Sequence, residues 1–565
     1  MSPLTFAQTD RAVGALVGLA SGDALGAGCE FEPRVPYTKA LAMTGGGVFG
    51  WRPGSWTDDT AMAYAIAEVA ATGADLRSDQ AQDQIAQGWW RWAETAVDIG
   101  AQTRSVLRSA RADGTAKGLR TAAEQHHLLA LGRSGGNGSL MRTAPVALAY
   151  LGPNQEEELW QAADAISALT HWEQDAREAC GLWCLAIRHA VLHGTFDGLR
   201  LAVQRLPAER QALWSARLDQ AEARQSWRFA NNGWVVAALQ AAWSAIAHTA
   251  VPAELPGAGV FAAQHAENAI ERAARCGGDT DTVAAIAGSL VGARWGASAI
   301  PAKWKLKLHG WNQATTAELV QRAVMITRGG RATSGGWPVA ATVDTSLWPE
   351  RFAFGVLPQQ PNLLLAGQAA LQERQGLYSK AVSLSRVGTA EGALAPGDHL
   401  KLMVLDSAEA ADNPNLAFQL WDTARQIDQW LKAGERVLLH CVQAQNRTPS
   451  FAAAYLVLAK GLTATAALEA VKVALPQAYP HGPFVAALQT LDGSRARELR
   501  CVRDGERIAG LWLAVGDVAL QRRGGGWVAG ELAAATQAAT ARDVAAFDEA
   551  EMAGDELPAQ AVVER

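Results

Sequence analysis

The sequence predicts a multidomain protein: an all-α helical domain first, an α/β domain after it, and a small C-terminal segment. Three observations carry this reading. The 565 residues exceed the ~50–250 of a single domain. From about residue 8 to 325 the apolar positions repeat at helical spacing, and strand-like alternation is almost absent. Beyond a glycine-rich break the pattern changes to short apolar runs separated by helical stretches, the alternation of an α/β unit.

Taken in order, residues 8–325 form the helical domain. Met62, Ile66 and Val69 make one stripe after Trp56; Val283, Ile286, Leu290 and Ala293 make another. No repeat of fixed period argues for a solenoid. Thr327–Gly336 is rich in glycine and polar residues and marks a linker over 326–345. In 346–492, Leu402–Leu405 and Arg436–Leu439 read as buried parallel strands, with a helix over Leu416–Leu431 and another from Phe451. In 493–565, Gly510–Val515 and Trp527–Val528 flank Arg522–Gly526 as a hairpin, followed by an acidic, alanine-rich tail.

Composition narrows the function classes. Residues are 49% hydrophobic and 19% charged, which builds a core and excludes wholesale disorder. Fifty basic against fifty-six acidic residues leave a net charge of −6, so no nucleic-acid partner is expected. Six cysteines, at 29, 180, 184, 276, 441 and 501, are too scattered for a disulfide scaffold. Ala12–Ala20 resembles a short secretory run, but Asp10 precedes Arg11 and Gly22-Asp23 interrupts it. No run reaches the ~18 uninterrupted apolar residues of a membrane span. The expectation is a reduced, soluble, cytoplasmic protein with no membrane partner.

Two acidic clusters stand at predicted helix starts: Trp56-Thr-Asp-Asp-Thr60 and Gly277-Gly-Asp-Thr-Asp-Thr282. One Asp or Thr at such a place is usually an N-cap. Each start here carries two carboxylates and at least two hydroxyls, with no Lys or Arg inside either motif. Adjacent carboxylates repel unless a cation or proton sits among them. Clustered oxygens suit a hard cation, magnesium or manganese. Two matching clusters far apart in sequence favour one shared metal centre over two caps. Gly45–Gly50 fits a GxGxxG pattern but has no strand before it or helix directly after it, so it is no dinucleotide fingerprint.

Gly22-Asp-Ala-Leu-Gly-Ala-Gly-Cys-Glu30-Phe31, Trp56–Thr60, Asp98-Ile-Gly100, Gly136-Asn-Gly-Ser-Leu-Met-Arg142, Thr170-His171 and Gly278–Thr282 follow in that order. Together they resemble the ADP-ribosylglycohydrolase family, of the dinitrogenase-reductase-activating type, over about residues 8–300. The resemblance implies two magnesium (or manganese) ions in a cleft that receives ADP-ribose. It implies Thr57, Asp58, Asp59, Asp279, Asp281 and Thr282 as ligands, and Glu30 and Asp98 as catalytic carboxylates. It places Gly100, Gly136, Asn137, Gly138, Ser139, Met141 and His171 against the substrate. Cleavage at an anomeric carbon builds oxocarbenium character that nearby carboxylates stabilise. Which of Glu30 and Asp98 acts as base stays open, and Glu32 is a weaker rival to Glu30. Trp51, Trp56 and Trp295, beside the motif loops, are candidate cleft walls.

Val437-Leu-Leu-His-Cys-Val-Gln-Ala-Gln-Asn-Arg-Thr-Pro-Ser450 sets Cys441 and Arg447 on a loop between a strand and a helix. Such a loop aims N–H groups at a phosphate, and the same field lowers a thiol pKa. The segment resembles a dual-specificity or tyrosine-phosphatase-like domain. The resemblance implies Cys441 as nucleophile, Arg447 on the phosphate, Thr448 beside the thiolate and Asp406 as general acid, with Asp412 as fallback. That family carries glycine in the loop. If a position there needs positive φ, Ala444 or Gln445 would be strained, and Asn446 would tolerate it better.

The resulting reading is a metal-dependent hydrolase that removes ADP-ribose from a protein side chain or small molecule. A cysteine-dependent phosphatase-like domain with a phosphorylated substrate is appended to it. The rivals are a non-catalytic ADP-ribose-binding or immunity-type protein, and a phosphatase that uses the helical domain for targeting.

Overall fold

The computed structural model describes residues 4–392 and 394–492, and beyond these only the backbone of strands 512–515, 518–523 and 526–530. From Phe6 to Thr327 every regular element is a helix; extended pairing is limited to isolated bridges such as Gly46 with Trp51. The helices that position the site are α1 (Phe6–Gly26), α2 (Asp58–Ala70), α3 (Thr280–Trp295) and α4 (Thr316–Thr327). A capping box starts α1: the Gln8 N–H donates to Thr5 Oγ1 at 3.1 Å, and the Thr5 N–H donates to Gln8 Oε1 at 3.0 Å. The two predicted apolar stripes are buried throughout.

The central packing is α1 against α3, and glycine permits it. Gly14, Gly18 and Gly22 recur every fourth residue on the α1 face that meets Gly292, Gly288 and Ala284. A Cβ at Gly22 would stand 1.9 Å from the Ala284 carbonyl oxygen, and one at Gly18 would stand 2.2 Å from that of Gly288. Backbones in contact leave no space for side chains between the helices. Phe6–Cys29 is long and apolar enough to cross a membrane, yet 94% of its apolar window is buried inside the structure.

After α4 the structure becomes α/β. A mixed five-stranded sheet has the order β1-β2-β5-β3-β4, built from β1 (Phe354–Val356), β2 (Leu363–Ala366), β3 (Lys380–Ser383), β4 (His399–Lys401) and β5 (Val437–His440). Only β1 is antiparallel. Helices α5 (Leu416–Lys432) and α6 (Arg447–Lys460) follow β4 and β5.

Two sequence expectations need correction. Leu402–Leu405 is no strand: the ladder ends at Lys401, and only the Leu402 N–H still reaches Ser383, at 2.9 Å. Leu405 instead pairs its N–H and carbonyl with the Asn413 side chain, at 2.9 and 3.0 Å. Helix α6 opens at Arg447, not at Phe451. Strands β1 to β3 went unread. In the C-terminal part, Gly526–Gly530 pairs with Val518–Arg523, which in turn pairs with Trp512–Val515, so three strands stand where two were expected. The expected tail lies outside the described residues.

The helical and α/β regions share one apolar core. Phe261 packs its ring 5.2 Å from that of Trp421. Asp422 accepts from the Ala302 N–H at 2.7 Å, and Asn415 Nδ2 donates to the Trp295 carbonyl at 2.6 Å. Glycines of the joining segment also lie on the helical region; Gly330 abuts Thr72 and Gly73.

Candidate active site

The start of α2 has no cap of its own. Thr57 occupies the N-cap position but caps nothing; its hydroxyl donates to Asp59 Oδ2 at 3.0 Å. The free N–H groups go to carboxylates from elsewhere. Asp23 of α1 accepts from Thr57 N–H at 2.8 Å, Thr60 N–H at 2.9 Å and the Thr60 hydroxyl at 2.6 Å. Asp98 Oδ2 accepts from Asp58 N–H at 2.7 Å. Remote capping leaves the side chains of Asp58 and Asp59 for another task.

The glycine ladder delivers α3 to the same place. Gly26 ends α1 against the Asp281 backbone, where a Cβ would stand 2.5 Å from its Cα. Two carboxylate triads result, Asp23–Asp59–Asp281 and Glu30–Asp279–Asp281, each with oxygens within 4.8 Å of one another. Thr282 joins them, donating to Asp59 Oδ2 at 3.4 Å.

No Lys or Arg pairs with these carboxylates among the described residues. Burial, then neighbouring carboxylates, holds Asp58, Asp59 and Asp281 well above the ordinary range. Burial pushes Asp23 up to about 7. Burial, followed by Asp279 and Asp98, pushes Glu30 up to about 8. So many buried acids of one sign need protons or a cation among them. Asp59 Oδ1 is buried without a hydrogen-bond partner, an orphan that a hard cation would satisfy. The donor set is all oxygen and fits magnesium or manganese.

The Gly136–Met141 loop forms the adjoining wall. A Cβ at Gly136 or Gly138 would meet the His171 ring at 3.2 or 3.1 Å, so this ring lies directly beneath the loop. His171 Nδ1 is 2.8 Å from the Thr170 hydroxyl, and burial keeps the ring neutral. Asn137 Nδ2 donates to Asp279 at 2.7 Å and to the Asn232 carbonyl at 2.8 Å. Gly100 stands exposed at the N-terminus of helix Ala101–Ser109, two residues after half-buried Asp98.

Other expected residues are buried behind the cleft or lie away from it. Ser139 faces the core, accepting from Ser167 at 2.9 Å. Met141 is buried, with its sulfur 3.8 Å from the Thr282 hydroxyl. Glu32 is exposed. Trp295 is no cleft wall: it closes the far end of α3, about 21 Å from Asp281 along the helix, bonding His265 at 3.1 Å. Trp56 is buried against Gly310.

Two residues were missed. Asp23 stood inside a quoted motif without a role, and the glycine period of α1 marked the face beside it. Asn232 accepts the Asp279 N–H at 3.0 Å and donates to the Gly277 carbonyl at 2.8 Å, tying α3's start to the Asn137 loop. Its only signal was the turn-forming Asn231-Asn232-Gly233.

In the α/β region Cys441 directly follows β5, buried, and opens the loop to α6. Of the two positions expected to be strained, Ala444 takes the positive φ, +55°. Arg447 is held by its two terminal nitrogens, with Nη1 donating to the Leu384 and Val404 carbonyls at 2.8 and 3.1 Å and Nη2 to Asp406 at 3.2 Å, while its Nε is buried without a partner. Asp406 also accepts from Asn446 at 2.6 Å. It stands five residues past β4, not directly after a strand. Asp412 accepts from Ser407 at 2.7 Å. Thr448 donates to the Ala366 carbonyl at 3.4 Å.

The helical scaffold and its oxygen-rich acidic cleft define a class of hydrolase. The family description "ADP-ribosylglycohydrolase" matches residues 5–333. The chain belongs to the ADP-ribosylglycohydrolase family, and is a hydrolase of that type. It is 31% identical over 328 residues to "ADP-ribosylarginine hydrolase Tri1" of Pseudomonas putida, covering 56% of this chain and 80% of that protein. It is 29% identical to "ADP-ribosyl-[dinitrogen reductase] glycohydrolase" of Rhodospirillum rubrum, over 53% of this chain and 90% of that one. A further 25% of the chain is 29% identical to "Dual specificity protein phosphatase 1B" of Arabidopsis thaliana, covering 93% of it.

Proposed function

We propose that the protein releases ADP-ribose from an ADP-ribosylated arginine side chain, using divalent cations held in the acidic cleft. The observation that carries this is the pair of carboxylate triads sharing Asp281. Asp23, Asp59 and Asp281 would hold one ion, and Glu30, Asp279 and Asp281 the other, with Asp58, Thr57 and Thr282 completing the oxygen set. Magnesium is the expected metal and manganese a substitute; when bound it polarises ribose hydroxyls and lowers the pKa of a water. Glu30 would move a proton between water and the leaving nitrogen. Asp98 would stabilise the positive charge that develops on the sugar. Gly136 and Gly138, seated on the neutral His171 ring, would turn their N–H groups to a diphosphate, the Asn137 N–H between them being held by the Gly233 carbonyl at 3.1 Å. Arginine as the linkage rests on the relatives' own substrates.

Peptides carrying ADP-ribosyl-arginine or ADP-ribosyl-serine, incubated with and without magnesium, test the reading. Free ADP-ribose from the arginine peptide, only with metal, is expected. Tight binding without turnover would turn the protein into an ADP-ribose reader.

The Cys441 loop supports a phosphatase-like second region, with Asp406 as the acid. Its Arg447 already has three acceptors, so a phosphoryl group must compete for it. Hydrolysis of an aryl phosphate, lost in Cys441→Ser, is the check.

A further inference from the structure

A cavity of about 950 Å3 opens between the two regions. One wall is α4, another is β4 with the stretch after β3, and the segment after α4 borders a third side. Arg447, Asp406 and Val442 line its far end. This is the size of a small-molecule site, about 300–1,000 Å3.

Its charges are out of balance. Arg328, Arg331, Arg386 and Lys401 line it and form no ion pair among the described residues. Arg328 donates only to the carbonyls of Arg331 and Ala332, at 3.0 and 3.5 Å. The three lining carboxylates are engaged. Glu318 accepts from Thr315 N–H and hydroxyl at 2.9 and 2.5 Å. Asp344 accepts from Ser346 N–H at 2.9 Å, and Asp406 holds Asn446 and Arg447. Arg386 is exposed, with its guanidinium 4.9 Å from the Trp337 ring, and partial desolvation followed by the like charges of Arg328 and Arg447 pushes its pKa down. Cations crowded together without an anion are destabilised, and an arginine fork matches phosphate oxygens.

We propose that this cavity binds a small phosphomonoester carrying a planar ring, its phosphate on Arg386 and Arg328 and its ring against Trp337. The proposal depends neither on the hydrolase reading nor on a reactive Cys441.

Calorimetric titration of the full chain with AMP, adenosine and inorganic phosphate tests it. AMP is expected to bind, with the other two each at least tenfold weaker. Arg386→Ala should weaken AMP about tenfold, the loss of one charge-assisted hydrogen bond, and Arg386→Lys should recover most of it. Release of ADP-ribose should be unchanged. Arg328→Ala, at the exposed end of α4, gives the same readout if Arg386→Ala fails to fold. AMP binding indifferent to both arginines, no AMP binding, or binding of a phosphotyrosyl peptide alone would overturn the proposal.

Discussion

The acidic cleft and the Cys441 loop are both loop-and-helix-start sites, but they handle charge in opposite ways. In the cleft, carboxylates from α1, α2 and α3 converge with no Lys or Arg paired to them among the described residues, where Asp59 Oδ1 also finds no hydrogen-bond partner. In the Cys441 loop, Arg447 is answered by Asp406 and two carbonyls. The first site is incomplete without a ligand. The second meets most of its charge internally, leaving Arg447 Nε and His440 Nδ1 buried without partners, and it carries a left-handed alanine at Ala444. A site whose charge is unanswered announces a ligand more strongly than one whose charge is satisfied.

The sharpest way to break this contrast is Asp281→Asn, which removes the carboxylate common to both triads. Loss of an outer-shell partner of a metal site typically costs about 10–100-fold, so removing a shared ligand should lower ADP-ribose release by at least the upper figure, read by chromatography. Arg447→Ala should leave that release unchanged.

The second effect is on stability against pH. In chelator, the folded-state carboxylates of Asp23 and Glu30 titrate near 7 and 8, above their unfolded values. Between the ordinary carboxylate range and pH 8 the folded state therefore binds more protons than the unfolded one, and stability falls as pH rises. Magnesium should remove that downward slope and raise the melting temperature at pH 8. A melting series in EDTA and in magnesium reads it; parallel profiles would count against a cation in the cleft.

A smaller effect probes how the cleft is assembled. Gly22→Ala gains about 1 kcal/mol of helix propensity but drives a methyl into the Ala284 carbonyl. Overpacking of this kind costs typically 1–3 kcal/mol, occasionally more, about enough to outweigh the gain. A lower urea midpoint, with weaker magnesium binding because Asp23 is displaced, is expected. The smallest change is Ala444→Gly. Relief of a left-handed alanine is worth about 1–2 kcal/mol, offset by about 0.4–1 kcal/mol of unfolded-chain entropy. A net stabilisation of up to about 1 kcal/mol should appear in the urea midpoint.

Much of the cleft was legible in the sequence because its chemistry is concentrated in short stretches. Two Asp/Thr clusters without a basic residue announced shared oxygen donors, and the structure brings Asp59, Asp281 and Thr282 together. Asp23 was harder to see because a single buried acid in an apolar helix looks like a cap, which it also is. Asn232 was hidden because its role lies in backbone partners distant in sequence. In the α/β region, three- and four-residue strands give too few positions for a period to show. The equally short apolar run at Leu402–Leu405 was a false signal, with Leu402 and Val404 buried by packing rather than by a ladder.

Manganese binding followed by electron paramagnetic resonance addresses the central claim most directly, because it counts ions without needing a substrate. The wild-type chain should take up manganese tightly and release it to excess magnesium. Asp281→Asn, still folded by circular dichroism, should leave the free-manganese signal almost undiminished. Equal uptake by both proteins would place the ions elsewhere and contradict the account.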